Sequence, residues 1–134
     1  MTETSNSKYR LSPFAKLAGV KVNRSEKGFS QCVIEISEQT YNLQRTAHGG
    51  DISTLVDCGI FYAFHPFLSK DEAIRTVQLQ INYFAVAASG DLVCESKIIN
   101  KGKRIATLES EVKNEGNLVA EATGILYINK VKDD

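Results

Sequence analysis

A histidine followed by two glycines, and a carboxylate eight residues beyond the first of them, form the stretch best equipped for chemistry: His48-Gly49-Gly50 and Asp57. Two glycines at the start of a helix let a ligand come close to the backbone. The first N–H groups of a helix have no partner within it, so they form a ready site for an anion or a developing oxyanion. A carboxylate supplies a general base or a nucleophile. Asp57 stands in mid-helix, where aspartate has poor propensity and gains nothing from the helix dipole. Burying its charge unpaired among apolar neighbours costs on the order of several kcal/mol. A working carboxylate fits this pattern, and so does one at a solvated edge or one satisfied by nearby hydroxyls. Asp51, in the first turn, reads as a capping residue that meets the positive end of the dipole.

Spacing adds a constraint. At 1.5 Å per residue, Gly49 and Asp57 lie about 12 Å apart along a helix axis. An oxyanion donor and a catalytic carboxylate must each come within about 3 Å of the reacting atoms. One straight helix cannot bring both to one carbonyl. If they act together, one must come from a second copy of the chain, and a two-fold dimer with antiparallel helices supplies two such composite sites.

The elements that hold these groups can be read from periodicity. Pro13 opens a short helix over 13–18 that Gly19 ends. Residues 20–22 and 28–37 read as a hairpin pair, with Cys32, Ile34 and Ile36 alternating. A polar loop over 38–47 carries Asn42 and Gln44. A helix over 51–64 follows, apolar almost all round and therefore expected to be buried on most faces, with Pro66 just past its end. Four strands then follow at hairpin spacing, over 74–85, 91–100, 104–113 and 118–129, implying an antiparallel meander or a near relative. In the first of them Val77, Leu79, Ile81 and Tyr83 alternate. One long helix against five or six strands is an α+β domain, with the sheet curled around the helix. Residues 1–9 read as a mobile tail and 10–134 as one domain.

Bulk properties narrow the function. Lys plus Arg and Asp plus Glu number 16 each, which gives no electrostatic case for nucleic acid or an acidic membrane surface. No apolar run is long enough to span a bilayer, and the first residues lack the apolar core of a secretory signal. Cys32, Cys58 and Cys94 are odd in number and widely spaced, which suits buried cytosolic thiols better than a disulfide framework or a zinc site. A cytoplasmic protein without metal or cofactor is expected.

The order Asn42, His48-Gly49-Gly50, Asp57, in "HGGDISTLVDCGIFYAF", resembles the hotdog-fold acyl-CoA thioesterases of the PaaI-like and thioesterase superfamily member 2 type. "TVQLQINYFAVAASGDLV", "NKGKRIATLESEV" and "LVAEATGILYI" extend the resemblance over about residues 11–129. It implies a curved antiparallel sheet around one long helix, a homodimer with sites at its interface, and further pairing into a homotetramer. It implies an acyl-CoA substrate and no cofactor. By position, Asp57 activates water or attacks the thioester carbonyl, and the Gly49 N–H polarises that carbonyl. Asn42 and His48 orient the thioester and the leaving thiolate, and Thr76 positions the water. Asp57 and Thr76 face Asn42, His48 and Gly49 across the dimer. Two positions depart from the family's habit: Arg45 stands where glycine is common, and Asp51 where an apolar residue is. Arg45 either reaches a CoA phosphate or reshapes the entrance. Lys101, Lys103 and Arg104 are turn and strand-face charges that the resemblance allows near the CoA phosphates.

Two other functions share this fold. A hotdog hydratase or dehydratase usually pairs a catalytic histidine with an acid at other spacings. An acyl-CoA binding or sensing module usually carries an effector segment, and none is visible. Aryl-acetyl, hydroxybenzoyl and fatty acyl groups all remain open as substrates. His65, at the helix end beside Pro66, reads as a surface or capping residue, and Tyr83 as core or interface packing.

Overall fold

The computed structural model describes residues 9–131. The expected tail at 1–9 falls almost wholly outside them. The elements run α1 (Pro13–Ala18), β1 (Lys21–Glu26), β2 (Phe29–Glu35), α2 (Gly49–Phe64), β3 (Glu72–Tyr83), β4 (Asp91–Lys101), β5 (Ile105–Asn114) and β6 (Asn117–Lys130). All six strands form one antiparallel sheet, ordered β1-β2-β4-β5-β6-β3. The sheet curves around α2, which is the hotdog architecture.

The meander is shorter than its spacing suggested. Only β4, β5 and β6 follow one another as hairpins; β3 lies at the far edge beside β6. The 84–90 connection must cross three strand spacings, roughly 14 Å, to reach β4. It is tied down on the way: the Phe84 N–H donates to the Val119 carbonyl, Ala47 N–H to Ala87, and Ile36 N–H to Gly90. Backbone pairing with the start of β6 and the loop before α2 thus replaces the expected hairpin.

Helix α2 sits on the sheet through Leu55, Val56, Ile60, Ala63 and Phe64, all essentially without solvent exposure. Each large side chain so buried contributes about 1.5–3 kcal/mol. The approach is closest at Gly59. A Cβ there would lie 2.5 Å from Ser96 Oγ and 3.2 Å from Cys94 Sγ. Below it runs a row of small residues in register across four strands: Ser30, Ser96, Ser110 and Ala122. The hydroxyls in this row are buried yet satisfied. Ser30 Oγ donates to the Gly59 carbonyl at 2.6 Å, and Ser96 and Ser110 bond each other at 2.6 Å.

Helix α2 is buried on most faces, as its composition implied, with one exception. Gly50 and Asp57 are exposed and Ser53, Thr54 and Phe61 half-buried, all on one stripe that the sheet meets only at its β3 edge, where Thr76 bonds Asp57. Within a single chain Asp57 therefore does not lie among apolar neighbours, and the burial cost argued from sequence does not operate on it. The buried carboxylate is Asp51, 7% exposed, with one carboxylate oxygen that no described group bonds. Its place in the first turn favours the charged form, but burial outweighs this and pushes the carboxyl above its ordinary value, with a Thr40 hydrogen bond and the His48 charge pulling the other way.

This packing can be probed at two positions. Gly59→Ala must displace the Ser96–Ser110 pair and should destabilise the fold by about 1–3 kcal/mol in urea denaturation; an unchanged midpoint would show that the helix can lift without cost. The folded chain holds the Asp51 proton more tightly than the unfolded chain does. The group therefore favours folding below the ordinary carboxylate pKa of about 3.9, and that benefit is lost as pH rises through the higher folded-state value. Asp51→Asn should melt above the parent at pH 7, with the gap closing towards pH 4; a gap that does not change with pH would refute the assignment.

Candidate active site

The first turn of α2 is built by His48. As N-cap it has extended backbone angles, and its Nδ1 accepts the Gly50 N–H at 2.8 Å. A ring that accepts at Nδ1 carries its neutral-form proton on Nε2, leaving Nε2–H as the donor to anything above. The Gly50 position has no room to spare, since a Cβ there would sit 3.1 Å from Nδ1. Asp51 and Ile52 donate back to the His48 carbonyl. Among the described residues no acceptor meets the Gly49 N–H, so an unpaired donor stands at the positive end of the helix.

The loop before it is organised by Asn42. Its Oδ1 accepts the Gln44 and Thr46 N–H groups, both at 3.0 Å, and its Nδ2 donates to Thr46 Oγ1 at 2.9 Å. Much of its bonding capacity is thus spent on the turn that leads into His48. Arg45 adopts a left-handed backbone, φ 63°, which costs a non-glycine residue roughly 1–2 kcal/mol. That geometry gives a physical reason for glycine at this place. The Arg45 side chain lies over Tyr41 and pairs with Glu38 at 3.2 Å, both contacts exposed.

Two turns further along α2, Asp57 is joined by Thr76, whose Oγ1 donates to Asp57 Oδ1 at 2.8 Å. Strand alternation from Val77 would have turned Thr76 outward. A bulge between Thr76 and Gln78 breaks the alternation: Val77 is 58% exposed, and Thr76 pairs with the inward-facing Leu126. Bulges re-aim side chains in this way. Asp57 and Thr76 line an open cleft of about 690 Å³ together with Ser12, Cys58, Phe61 and His65. His65 closes the helix as its C-cap and stacks on Tyr62.

The expected residues thus fall into two groups. Asn42, Arg45, His48 and Gly49 gather at the N-terminal end of α2, and Asp57 and Thr76 lie farther along it. The structure does not bring the groups together within one chain. Lys101, whose Nζ is 5.2 Å from the Phe67 ring centroid, Lys103 and Arg104 are exposed near the other end of α2. Arg45 precedes the head of α2, whose 16 residues span roughly 24 Å, and Lys101 lies beside Phe67 past its other end. Burial, with Asp57 beside it, pushes the Cys58 thiol up to about 11, and burial takes Cys94 to about 11 and Cys32 up as well, which favours the thiol over the more nucleophilic thiolate. Among the described residues no cluster of three His, Cys, Asp or Glu could hold a metal ion, and no helix is long and apolar enough to cross a membrane.

Tyr83 reads from the sequence as core or interface packing, and within one chain it is not core. It is 51% exposed, and its hydroxyl donates to the Gly49 carbonyl at 3.2 Å. Its alternation with Leu79 and Ile81 placed it on the inward face; that this face meets the head of α2 is visible only in the folded chain.

Comparison with known proteins agrees with this geometry. Residues 44–121 match the model of the thioesterase superfamily. A Pseudomonas aeruginosa protein named "Putative esterase PA0474" is 31% identical over 122 residues, covering 90% of this chain and 91% of that one. The acyl-coenzyme A thioesterase PaaI of Escherichia coli is 22% identical over 114 residues, covering 84% and 79%. Among solved structures, the phenylacetic acid degradation protein PaaI of Thermus thermophilus is 27% identical with a TM-score of 0.81, covering 87% and 98%. The chain belongs to the thioesterase superfamily, as a hotdog-fold, PaaI-like member.

Proposed function

We propose that the protein is an acyl-CoA thioesterase whose site is completed by a second copy of the chain. The observation that carries this reading is the pairing of Thr76 with Asp57 on an uncovered stripe of the same helix whose head holds the unpaired Gly49 N–H. Each half lacks what the other has. Edge strand β3 supports the assembly: it is 12 residues long, and Val77, Tyr83, Phe84 and Val86 on or just beyond it are largely exposed. A long unpaired edge of this kind invites another strand. Two copies joined edge to edge about a two-fold axis would run their α2 helices antiparallel and seat the Asp57 of one near the Gly49 of the other.

In such a site the thioester carbonyl oxygen takes its hydrogen bond from the Gly49 N–H, aided by the helix dipole. Asp57 either removes a proton from water as it adds to the carbonyl carbon or adds directly, with Thr76 holding one carboxylate oxygen. The C–S bond breaks and the electron pair leaves on sulfur. His48 Nε2–H and the remaining Asn42 amide hydrogen are placed to receive the thiolate. When water adds, the proton taken by Asp57 ends on the thiol, giving free acid and CoA. When Asp57 adds, the acyl group stays on it as a mixed anhydride, which water hydrolyses to free acid and restored carboxylate while the proton goes to the thiolate. Arg45 of one copy and the Lys101, Lys103 and Arg104 cluster of the other offer charge to the CoA phosphates, and a cytoplasmic location and homotetramer accord with this reading. The acyl group remains open among aryl-acetyl, hydroxybenzoyl and fatty chains.

Asp57→Ala and Asp57→Asn should lower kcat for thiol release from acyl-CoA by about 10²–10⁴-fold, with secondary structure and assembly state unchanged. Near-normal hydrolysis by Asp57→Ala would overturn the reading. A change in enoyl absorbance without thiol release would favour a hydratase, and CoA binding without turnover across a broad acyl panel a binding module.

A further inference from the structure

The peptide group that links Gly49 to Gly50 is held at both ends. Its carbonyl accepts the Tyr83 hydroxyl at 3.2 Å, and its N–H donates to His48 Nδ1 at 2.8 Å. The fit is tight at Gly50 and ordinary at Gly49. A Cβ at Gly49 would lie 3.6 Å from the Tyr83 ring, and one at Gly50 would lie 3.1 Å from the His48 ring. Tyr83 ends β3, opposite Ala120 of β6, so the sheet rather than the loop fixes its place.

A donor on a carbonyl oxygen polarises the amide and strengthens its N–H as a donor. The chain Tyr83 O–H, Gly49 C=O, Gly50 N–H, His48 Nδ1 is therefore a relay that acts on the imidazole from the side away from Nε2. We propose that Tyr83 is a positioning residue for His48: it acts through the Gly49–Gly50 peptide to hold the imidazole with Nε2–H free for the leaving sulfur. This rests on the thioesterase reading of the site. No proton is transferred along the relay, and Tyr83 touches no reacting atom.

The relay can be tested with and without turnover. Tyr83→Phe keeps the ring and removes only the donor. It should lower kcat for thiol release roughly five- to tenfold, the worth of one neutral hydrogen bond, and leave KM within about twofold. The same substitution made in His48→Ala should cost nothing further, because its route is gone. Wild-type kcat, a rise in KM alone, or an equal loss in both backgrounds would overturn the relay. Water exchange of the Gly50 amide, read by NMR, needs no substrate. It should quicken about threefold or more in Tyr83→Phe, as the bond from the Gly50 N–H to His48 weakens. Unchanged Gly50 exchange in Tyr83→Phe would overturn the relay even if kcat falls. If no acyl-CoA is turned over by the parent, the thioesterase reading fails while the exchange measurement still decides the relay.

Discussion

The seating of α2 at Gly59, over the row Ser30, Ser96, Ser110 and Ala122, is the constraint on which the rest of the structure depends. A helix rests on a sheet at a distance set by the side chains between them. Here the spacer is almost absent, so the helix sinks until the Gly59 carbonyl meets a serine hydroxyl. That depth fixes the helix axis. The axis fixes where the free N–H groups at its head point and which residues the sheet cannot cover. It also explains buried hydroxyls in an otherwise apolar core: small residues are needed, and serine can satisfy its hydroxyl locally.

The head of α2 combines favourable and unfavourable electrostatics. His48 satisfies one orphan N–H with its own ring, and the fold leaves the Gly49 N–H unsatisfied beside it. Asp51, in the same first turn, is poorly solvated and incompletely bonded. Arg45 occupies a left-handed position that suits glycine. Strain and unsatisfied groups of this kind gather where a structure is organised for something other than its own stability. The large burial along Leu55, Val56, Ile60 and Phe64 offsets them.

Two surfaces of the chain look unfinished, and they adjoin. The uncovered stripe of α2 carries Asp57, and edge strand β3 carries Thr76 at its bulge. A single bulge thus links strand pairing to side-chain aim: without it Thr76 would leave the helix and Val77 would take its place.

Much of this was legible in the residues. The helix over 13–18, the long apolar helix, the strands and the α+β class all followed from periodicity and from glycine and proline punctuation, because those signals are local and repeat within a few residues. The separation of Gly49 and Asp57 also followed, since it is a matter of helical rise alone. The motif order carried the family. What the sequence could not state depends on partners distant along the chain. The position of β3 beside β6 is decided by how the 84–90 connection is tied to Val119 and Ala47. The exchange of roles between Thr76 and Val77 needs a bulge that only the register with β6 defines. The sequence leaves Asp57 open between a buried working group and one at a solvated edge, and it is silent on the burial of Asp51, because the curvature of the sheet, not helical pattern, chooses which stripe is covered. The contact of Tyr83 with Gly49 joins residues 34 apart. Periodicity says which face a side chain takes; only the packed chain says what stands opposite it.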